Sequence, residues 1–125
     1  MKRALLLAPA LLALTLSQAS AQSSCFRIRE FDGWRAADAK TVYIRVSQTR
    51  FFRLDLSNAC PLLTDKGAHL ITKTSGSDLV CSNVDWDLAV ARDTPGSLPS
   101  HCIVKTMTAL TPAEADALPK GFKSM

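Results

Sequence analysis

The sequence has few of the residues and motifs by which enzymes are recognised. Only two histidines are present, His69 and His101, and no serine stands in a G-x-S-x-G motif, which argues against a serine hydrolase. No glycine-rich loop could bind phosphate, and charges of one sign never form a run of five or more. We therefore predict no cofactor, no catalytic residue and no nucleic-acid partner, and the prediction leans away from an enzyme.

Long hydrophobic runs are also scarce, since the sequence has only one, Ala4–Leu16, near its start. Lys2 and Arg3 precede this run, and a short stretch of small and polar residues ending at Ala21 follows it. The run is too short to span a bilayer comfortably, and the order basic, apolar, small is typical of a secretory signal peptide. We predict cleavage near Ala21, a periplasmic or secreted location, and no membrane span after cleavage.

Removal of the predicted signal peptide would shorten the chain and lower its net charge. The remaining chain has the size of one small domain. Of the 15 basic residues, Lys2 and Arg3 leave with the signal peptide, so 13 remain against 11 acidic residues and the formal net charge falls from +4 to about +2. We predict a signal peptide at residues 1–21 and a single disulfide-stapled β domain at residues 22–125.

The four cysteines, Cys25, Cys60, Cys81 and Cys102, all follow the signal peptide, and no two are closer than 21 positions. That spacing lacks the close pairs of zinc sites, so we predict no metal site. An even number of cysteines in a small exported domain predicts two disulfides. Three pairings are possible. We favour Cys60–Cys81, which closes one strand–turn–strand segment, and Cys25–Cys102, which ties the first strand of the exported chain to the last.

The centre of the sequence, Thr41–Cys60, alternates apolar and polar residues with a period of two, as strands with one buried face do. A polar turn at Gln48–Arg50 divides it into the two strands of a hairpin. The residues expected to face the core are Val42, Ile44, Val46, Phe52, Leu54 and Leu56. The residues expected to face outward include Tyr43, Arg45, Phe51 and Arg53.

Further short strands are predicted at Cys25–Phe31, Ala68–Thr74, Leu79–Cys81, Val84–Val90 and Cys102–Thr108. Trp34 is expected to pack over an end of the sheet. Thr111, Pro112 and Glu114 form a helix-capping pattern, so we predict a short helix that stops before Pro119 and a frayed segment after it. The predicted fold class is mainly β, a small antiparallel barrel or sandwich of about six to seven short strands with a short C-terminal helix.

Several of these features occur in an order found in a known family. They are Cys25-Phe26, Trp34, the strand with Tyr43, the strand with Leu54 and Leu56, Cys60 with Leu62 or Leu63 behind it, Cys81 and Cys102-Ile103-Val104. Over about Cys25 to Leu118 the chain resembles the DUF6491 family, small exported bacterial proteins, often lipoproteins, with no assigned activity. Where that family often has glycine and aspartate after the third cysteine, this chain has Ser82 and Asn83, and it lacks the lipobox of many members. The resemblance implies a bacterial envelope protein and transfers no catalytic residue.

The outward-facing strand residues give one candidate binding site. Tyr43, Arg45 and Arg53, together with Trp34, combine arginine with aromatic side chains, a combination that suits an anionic polymer. We favour the other interpretation, a solvated sheet face on which arginine and aromatic neighbours interact by cation–π contacts, and keep an envelope polyanion or a partner protein as the competing one. We predict an envelope protein of unknown biochemical function, a non-catalytic binding or structural module whose partner is an unknown envelope protein or polymer.

A small hydrolase acting on a cell-wall or lipid substrate is the alternative function. It requires at least two titratable side chains to converge in a pocket. The candidates are Asp85, Asp87, His69 and His101. The alternation of apolar residues from Val84 to Val90 predicts instead that Trp86 faces the core and that both neighbouring aspartates face water.

Overall fold

The computed structural model of the protein describes residues 24–125. The predicted signal peptide of residues 1–21, with its cleavage site at Ala21, lies outside the described residues. Among the residues described, no helix is both long enough and apolar enough to cross a bilayer. Strands dominate this part of the chain, in agreement with the mainly β prediction. They are β1 (Phe26–Arg27), β2 (Phe31–Asp38), β3 (Thr41–Val46), β4 (Arg50–Leu56), β5 (Ala68–Thr74), β6 (Leu79–Val80), β7 (Trp86–Arg92), β8 (Ser100–Cys102), β9 (Val104–Ala109) and β10 (Lys123–Ser124), with one α-helix, α1 (Pro112–Asp116).

The largest sheet has five antiparallel strands in the order β10-β2-β3-β4-β9. Its central hairpin, β3 and β4, has the predicted alternation, with Ile44 opposite Phe52 on the buried face and Tyr43 opposite Arg53 on the outer face. The connecting turn begins one residue earlier than predicted. Ser47 and Gln48 both have positive φ there, 50° and 63°, and Arg50 already belongs to β4.

A three-stranded sheet, β5-β7-β8, and a two-stranded ribbon, β1-β6, complete the fold. The ring of Phe26 in β1 lies 5.1 Å from the ring of Phe52 in the five-stranded sheet and 5.7 Å from that of Trp86 in the three-stranded sheet. Apolar side chains of all three sheets therefore share one buried cluster. Of the two predicted architectures, the structure has the sandwich-like one.

Two disulfides are present, as predicted, but the favoured pairing is wrong. Cys25 is bonded to Cys81 and Cys60 is bonded to Cys102. The ribbon pairs Phe26 with Val80, which brings the cysteines on either side of that pair together. The predicted Cys60–Cys81 link assumed that residues 61–80 fold back on themselves, whereas β5 within that range pairs with β7.

One predicted strand is interrupted and another begins later than the apolar alternation suggests. Cys25–Phe31 is interrupted by a 3-10 turn at Ile28–Glu30, where a side-chain oxygen of Glu30 accepts a hydrogen bond from the Arg27 amide at 3.0 Å. Val84 lies in a second 3-10 turn, Asn83–Asp85, and the residue is 76% exposed. Side chains that cap the backbone locally compete with strand pairing, which is why period two fails at both places.

Trp34 and the last residues of the chain also differ from expectation. Trp34 is a β2 residue with no exposed surface, so it lies inside the core and not over an end of the sheet. The predicted helix is present, but the residues after it are ordered. Lys123 and Ser124 form β10, which pairs with Trp34 and Gly33 of β2.

Candidate functional site

The outer face of the five-stranded sheet carries the sequence-predicted binding residues other than Trp34. Because Ile44 and Phe52 point into the core, their neighbours along β3 and β4 point away from it. Tyr43 stands directly opposite Arg53 and also opposite Arg35 of β2. A tyrosine thus stands between two arginines in one cross-strand row of this sheet.

Residues 110–122, here called the crossing segment, extend over this outer face from β9 to β10. Leu110 is buried at the start of the segment. Thr111 then caps α1, since its hydroxyl accepts a hydrogen bond from the Glu114 amide at 3.2 Å and the Glu114 carboxylate accepts one from the Thr111 amide at 3.1 Å. The Arg35 guanidinium donates a hydrogen bond to the carbonyl oxygen of Lys120. Local capping and one long-range arginine contact therefore fix the path of the segment.

The crossing segment leaves a hollow of about 430 Å³ beside Tyr43 and Arg53, here called the tyrosine hollow. Its other walls include Leu110, Leu118 and Pro119, so most of the lining is apolar. The Arg53 guanidinium contacts the Asp55 carboxylate at 3.0 Å, and the hydrogen bond and charge of Asp55 raise the pKa of Arg53. The hollow thus has an apolar wall and an aromatic ring, and its charged groups are Arg53, paired with Asp55, and the Glu114 carboxylate.

A second hollow of about 290 Å³, here called the aromatic hollow, lies on the other side of Leu118 and Pro119. Phe51 and Arg45 line it, and the crossing segment places Phe122 against both of them. The rings of Phe51 and Phe122 meet edge to face with centroids 5.5 Å apart, and the Arg45 guanidinium carbon lies 5.7 Å from the Phe122 centroid. Phe122 thus forms one wall of this hollow.

The structure thus brings only two of the four predicted binding residues together in one hollow. Tyr43 and Arg53 share the tyrosine hollow, whereas Arg45 lines the aromatic hollow. Trp34 lies in the core, and the Lys123 ammonium group is 4.8 Å from the centroid of its ring. Trp34 therefore contributes to packing of the core but presents no surface to a ligand.

Two of the four hydrolase candidates have structural partners. The Asp85 carboxylate accepts hydrogen bonds from the amides of Cys81 at 2.8 Å and Ser82 at 2.9 Å, and these bonds lower the pKa of Asp85. His69 Nδ1 lies 2.9 Å from a carboxylate oxygen of Asp93. Asp85 therefore stabilises a turn. His69, near the start of β5, is paired with Asp93, which follows β7.

The other two candidates, Asp87 and His101, line a hollow of about 350 Å³ on the three-stranded sheet. Both side chains are exposed, Trp86 between the two aspartates is buried as predicted, and Lys73 and Ile71 of β5 complete part of the wall. Within residues 24–125, histidine, cysteine, aspartate and glutamate side chains form no group of three that could hold a metal ion. A carboxylate and an imidazole thus share one hollow. Within the described residues, no third histidine, cysteine, aspartate or glutamate joins them in a metal-binding group.

Sequence reasoning missed Gly33 and Phe122 as determinants of the outer face. A Cβ atom at Gly33 would lie 3.0 Å from Arg45 Nη2 and 3.2 Å from the carbonyl oxygen of Lys123, so only glycine admits both neighbours without a shift. Phe122 follows Pro119 and Gly121, residues that usually indicate a loop. The one available signal was a large aromatic residue in a stretch otherwise expected to fray.

Comparison with family models matches residues 4–122 to DUF6491, described as a family of unknown function. The match covers nearly the whole chain and extends beyond both ends of the resemblance noted from the cysteine and tryptophan pattern. No curated protein and no solved structure matches the chain.

Proposed function

Because the chain belongs to the DUF6491 family, whose function is unknown, its role has to be inferred from its own geometry, and we propose that it is a bacterial envelope protein that binds a ligand without catalysis. Two disulfides within residues 24–125 support an exported, oxidised protein, since such bonds persist outside the cytoplasm. The predicted signal peptide at residues 1–21 supports the same location. Residues 22–125 act as one exported domain in this proposal.

The tyrosine hollow is the observation that carries the proposal. Binding sites are typically concave and mostly apolar, with a few polar groups that orient the ligand. Here Tyr43 and Arg53 stand side by side on neighbouring strands of a rigid sheet, and Leu110, Leu118 and Pro119 supply the apolar wall. A site supported by paired strands and by a capped helix is largely preformed, which limits the entropy lost on binding.

The ligand that suits this hollow is amphipathic. An apolar or aromatic group would contact Tyr43 and the wall, and an anionic group would lie at Arg53. Asp55 holds the Arg53 guanidinium in place, and the Arg53 side chain is 46% exposed, so an anion can approach it. We propose an envelope protein segment or polymer with an anionic group next to an apolar one.

An NMR titration of the intact protein with the fluorescent probe anilinonaphthalene sulfonate tests the location of this site. The probe combines aromatic rings with a sulfonate and therefore has the chemistry proposed for the ligand. We expect saturable shifts confined to residues around Tyr43, Arg53 and Leu118. Shifts confined to the three-stranded sheet, or no saturable shift, would refute the proposed site.

A small hydrolase is the second candidate function, and one observation favours it. Asp87 and His101 line the same hollow on the three-stranded sheet, which gives a carboxylate and an imidazole access to one substrate. The substrate would be a cell-wall or lipid ester or amide. Asp85 is bonded to turn amides and His69 is paired with Asp93, so these two candidates do not serve the proposed hydrolase site.

A further inference from the structure

We propose that a hollow of about 220 Å³ at the edge of β2 binds a phosphate group. The hollow, here called the basic hollow, lies between β2, the 3-10 turn at Pro61–Thr64 and the end of the chain. It is lined by Arg35, Ala36, Leu63, Thr64, Gly121 and Lys123. Neither Tyr43 nor Arg53 lines it, so this inference goes beyond the proposed function and is tested separately from it.

The charged residues that line the basic hollow are both cations, Arg35 of β2 and Lys123 of β10. Both are half-buried. Among residues 24–125 no carboxylate forms an ion pair with either of them, whereas Arg45 and Arg53 on the outer face each have one. Like charges repel more strongly where water is partly excluded, so the fold maintains a concentration of positive charge that an anion would neutralise.

Backbone groups hold the Arg35 side chain in position. Its guanidinium donates a hydrogen bond to the carbonyl oxygen of Lys120. Gly121 lies directly against it, since a Cβ atom there would be 3.0 Å from Arg35 Nη1. A carbonyl oxygen carries no net charge, and a guanidinium has N–H donors left after one hydrogen bond. Arg35 therefore keeps its positive charge and further donors for an oxyanion, whose geometry a guanidinium matches.

Lys123 is oriented in the same way, by groups that carry no net charge. Its ammonium group donates hydrogen bonds to the carbonyl oxygens of Asp65 at 2.8 Å and Lys66 at 3.5 Å. It also lies 4.8 Å from the centroid of the Trp34 ring. Because these contacts already restrict the Lys123 side chain, it loses little conformational entropy when an anion binds beside it.

The surroundings of the basic hollow add positive charge. Lys66 and Lys120, whose carbonyl oxygens accept hydrogen bonds from the two lining cations, are themselves exposed. The carboxylate of Asp65, next to Lys66 in the sequence, is paired with Arg92 at 2.8 Å. Four of the 13 basic residues between positions 24 and 125 thus lie at this edge of the sheet. Such a cluster raises the local concentration of anions.

A phosphate group fits this arrangement better than a carboxylate does. It carries up to about two negative charges and has several acceptor oxygens, so one group can contact a guanidinium and an ammonium together. Inorganic phosphate and the phosphate of a lipid headgroup share this chemistry. The two sources differ in whether binding requires a membrane surface, and that difference can be measured.

An NMR titration of the intact protein with inorganic phosphate tests the site. Sodium phosphate replaces sodium chloride at constant ionic strength, so that general screening of charge does not change. We expect saturable shifts at the amides of Thr64, Gly121 and Lys123, with a dissociation constant in the millimolar range. The same titration with vesicles of phosphatidylglycerol, and with vesicles of phosphatidylcholine as the control, shows whether a lipid headgroup supplies the phosphate.

Four variants separate the basic hollow from the charge of the protein as a whole. Lys123→Gln and Arg35→Gln should each weaken phosphate binding about tenfold. Their matched controls, Lys105→Gln and Arg29→Gln, remove the same charges from exposed positions outside the hollow and should leave the dissociation constant unchanged. Arg35→Gln also removes the contact with Lys120, so Lys123→Gln keeps the test decisive if Arg35→Gln folds poorly.

The outcomes distinguish the proposal from general attraction of anions. Phosphate binding that Lys123→Gln weakens and Lys105→Gln does not would support the site, whether or not phosphatidylglycerol vesicles bind as well. No saturable shift, saturable shifts confined to other parts of the protein, or equal dissociation constants for Lys123→Gln and Lys105→Gln would overturn it. None of these results bears on the tyrosine hollow, whose probe and variants are different.

Discussion

Cys60 and Cys102 are joined by a disulfide that connects the loop after β4 to β8, and thus the five-stranded sheet to the three-stranded one. The Cys60 amide also donates a hydrogen bond to the carbonyl oxygen of Ala39 at 2.7 Å, which ties the same residue to the turn between β2 and β3. The second disulfide, between Cys25 and Cys81, closes the end of the β1-β6 ribbon. The Cys60–Cys102 bond therefore joins two sheets, whereas the Cys25–Cys81 bond lies within one ribbon.

Replacing both Cys60 and Cys102 by serine is expected to lower the free energy of unfolding by about 4 kcal/mol, because the bond closes a loop of some forty residues in the unfolded chain. Urea denaturation measures the loss. Mapping of peptides from the unreduced wild type is expected to recover the Cys25–Cys81 and Cys60–Cys102 links. Recovery of a Cys60–Cys81 peptide would contradict the structure.

Asp85 is expected to make stability depend on pH. Its pKa in the folded protein lies below the ordinary value of 3.8 because the Cys81 and Ser82 amides donate hydrogen bonds to its carboxylate. As the pH falls, Asp85 is protonated first in the unfolded chain. Its contribution to the free energy of unfolding is therefore complete above about pH 4 and is lost on further acidification. Urea denaturation from pH 6 to pH 2 should record this loss.

Two substitutions separate the charge of Asp85 from its role as a hydrogen-bond acceptor. Asp85→Asn keeps an acceptor but does not titrate. It should therefore reduce the acid-dependent loss of stability and lower the free energy of unfolding moderately at pH 6. Asp85→Ala should destabilise more at pH 6, because it leaves the two amides without this partner. An unchanged pH profile in Asp85→Asn would show that other groups cause the acid dependence.

The hydrolase alternative predicts an activity that the binding proposal does not. With nitrophenyl acetate and nitrophenyl butyrate as substrates, we expect the wild type to release nitrophenol no faster than the double variant Asp87→Asn, His101→Gln. The two proteins have the same fold and nearly the same surface, so surface-catalysed hydrolysis cancels. A wild-type rate tenfold above that of the double variant would support catalysis by the Asp87–His101 hollow.

The sequence predicted those parts of the fold that depend on neighbouring residues. The β3–β4 hairpin follows from strict period-two alternation, and α1 follows from the Thr111 capping pattern. The disulfide pairing depends on which distant strands associate, and alternation carries no information about that. Glu30 and Asp85 interrupted two apparent strands because their side chains bond to nearby backbone amides.

The candidate site was predictable to a similar extent. Alternation placed Tyr43, Arg45 and Arg53 on one outer face, and the structure places them there. It could not separate Arg45 from the other two, because the crossing segment that divides the face is more than fifty residues distant in sequence. Trp34 was assigned by residue type alone, and its position in β2 turns it toward the core.

The central claim is that Tyr43 and Arg53 form a ligand-binding site, and dissociation constants for anilinonaphthalene sulfonate test it most directly. Tyr43→Ala and Arg53→Ala should each weaken binding about tenfold, since each removes a contact of about 1.4 kcal/mol. Arg29→Ala, which removes an exposed arginine elsewhere, and Trp34→Phe, which alters only the core, should leave the dissociation constant of folded protein unchanged. Equal constants for the wild type, Tyr43→Ala and Arg53→Ala would contradict the account.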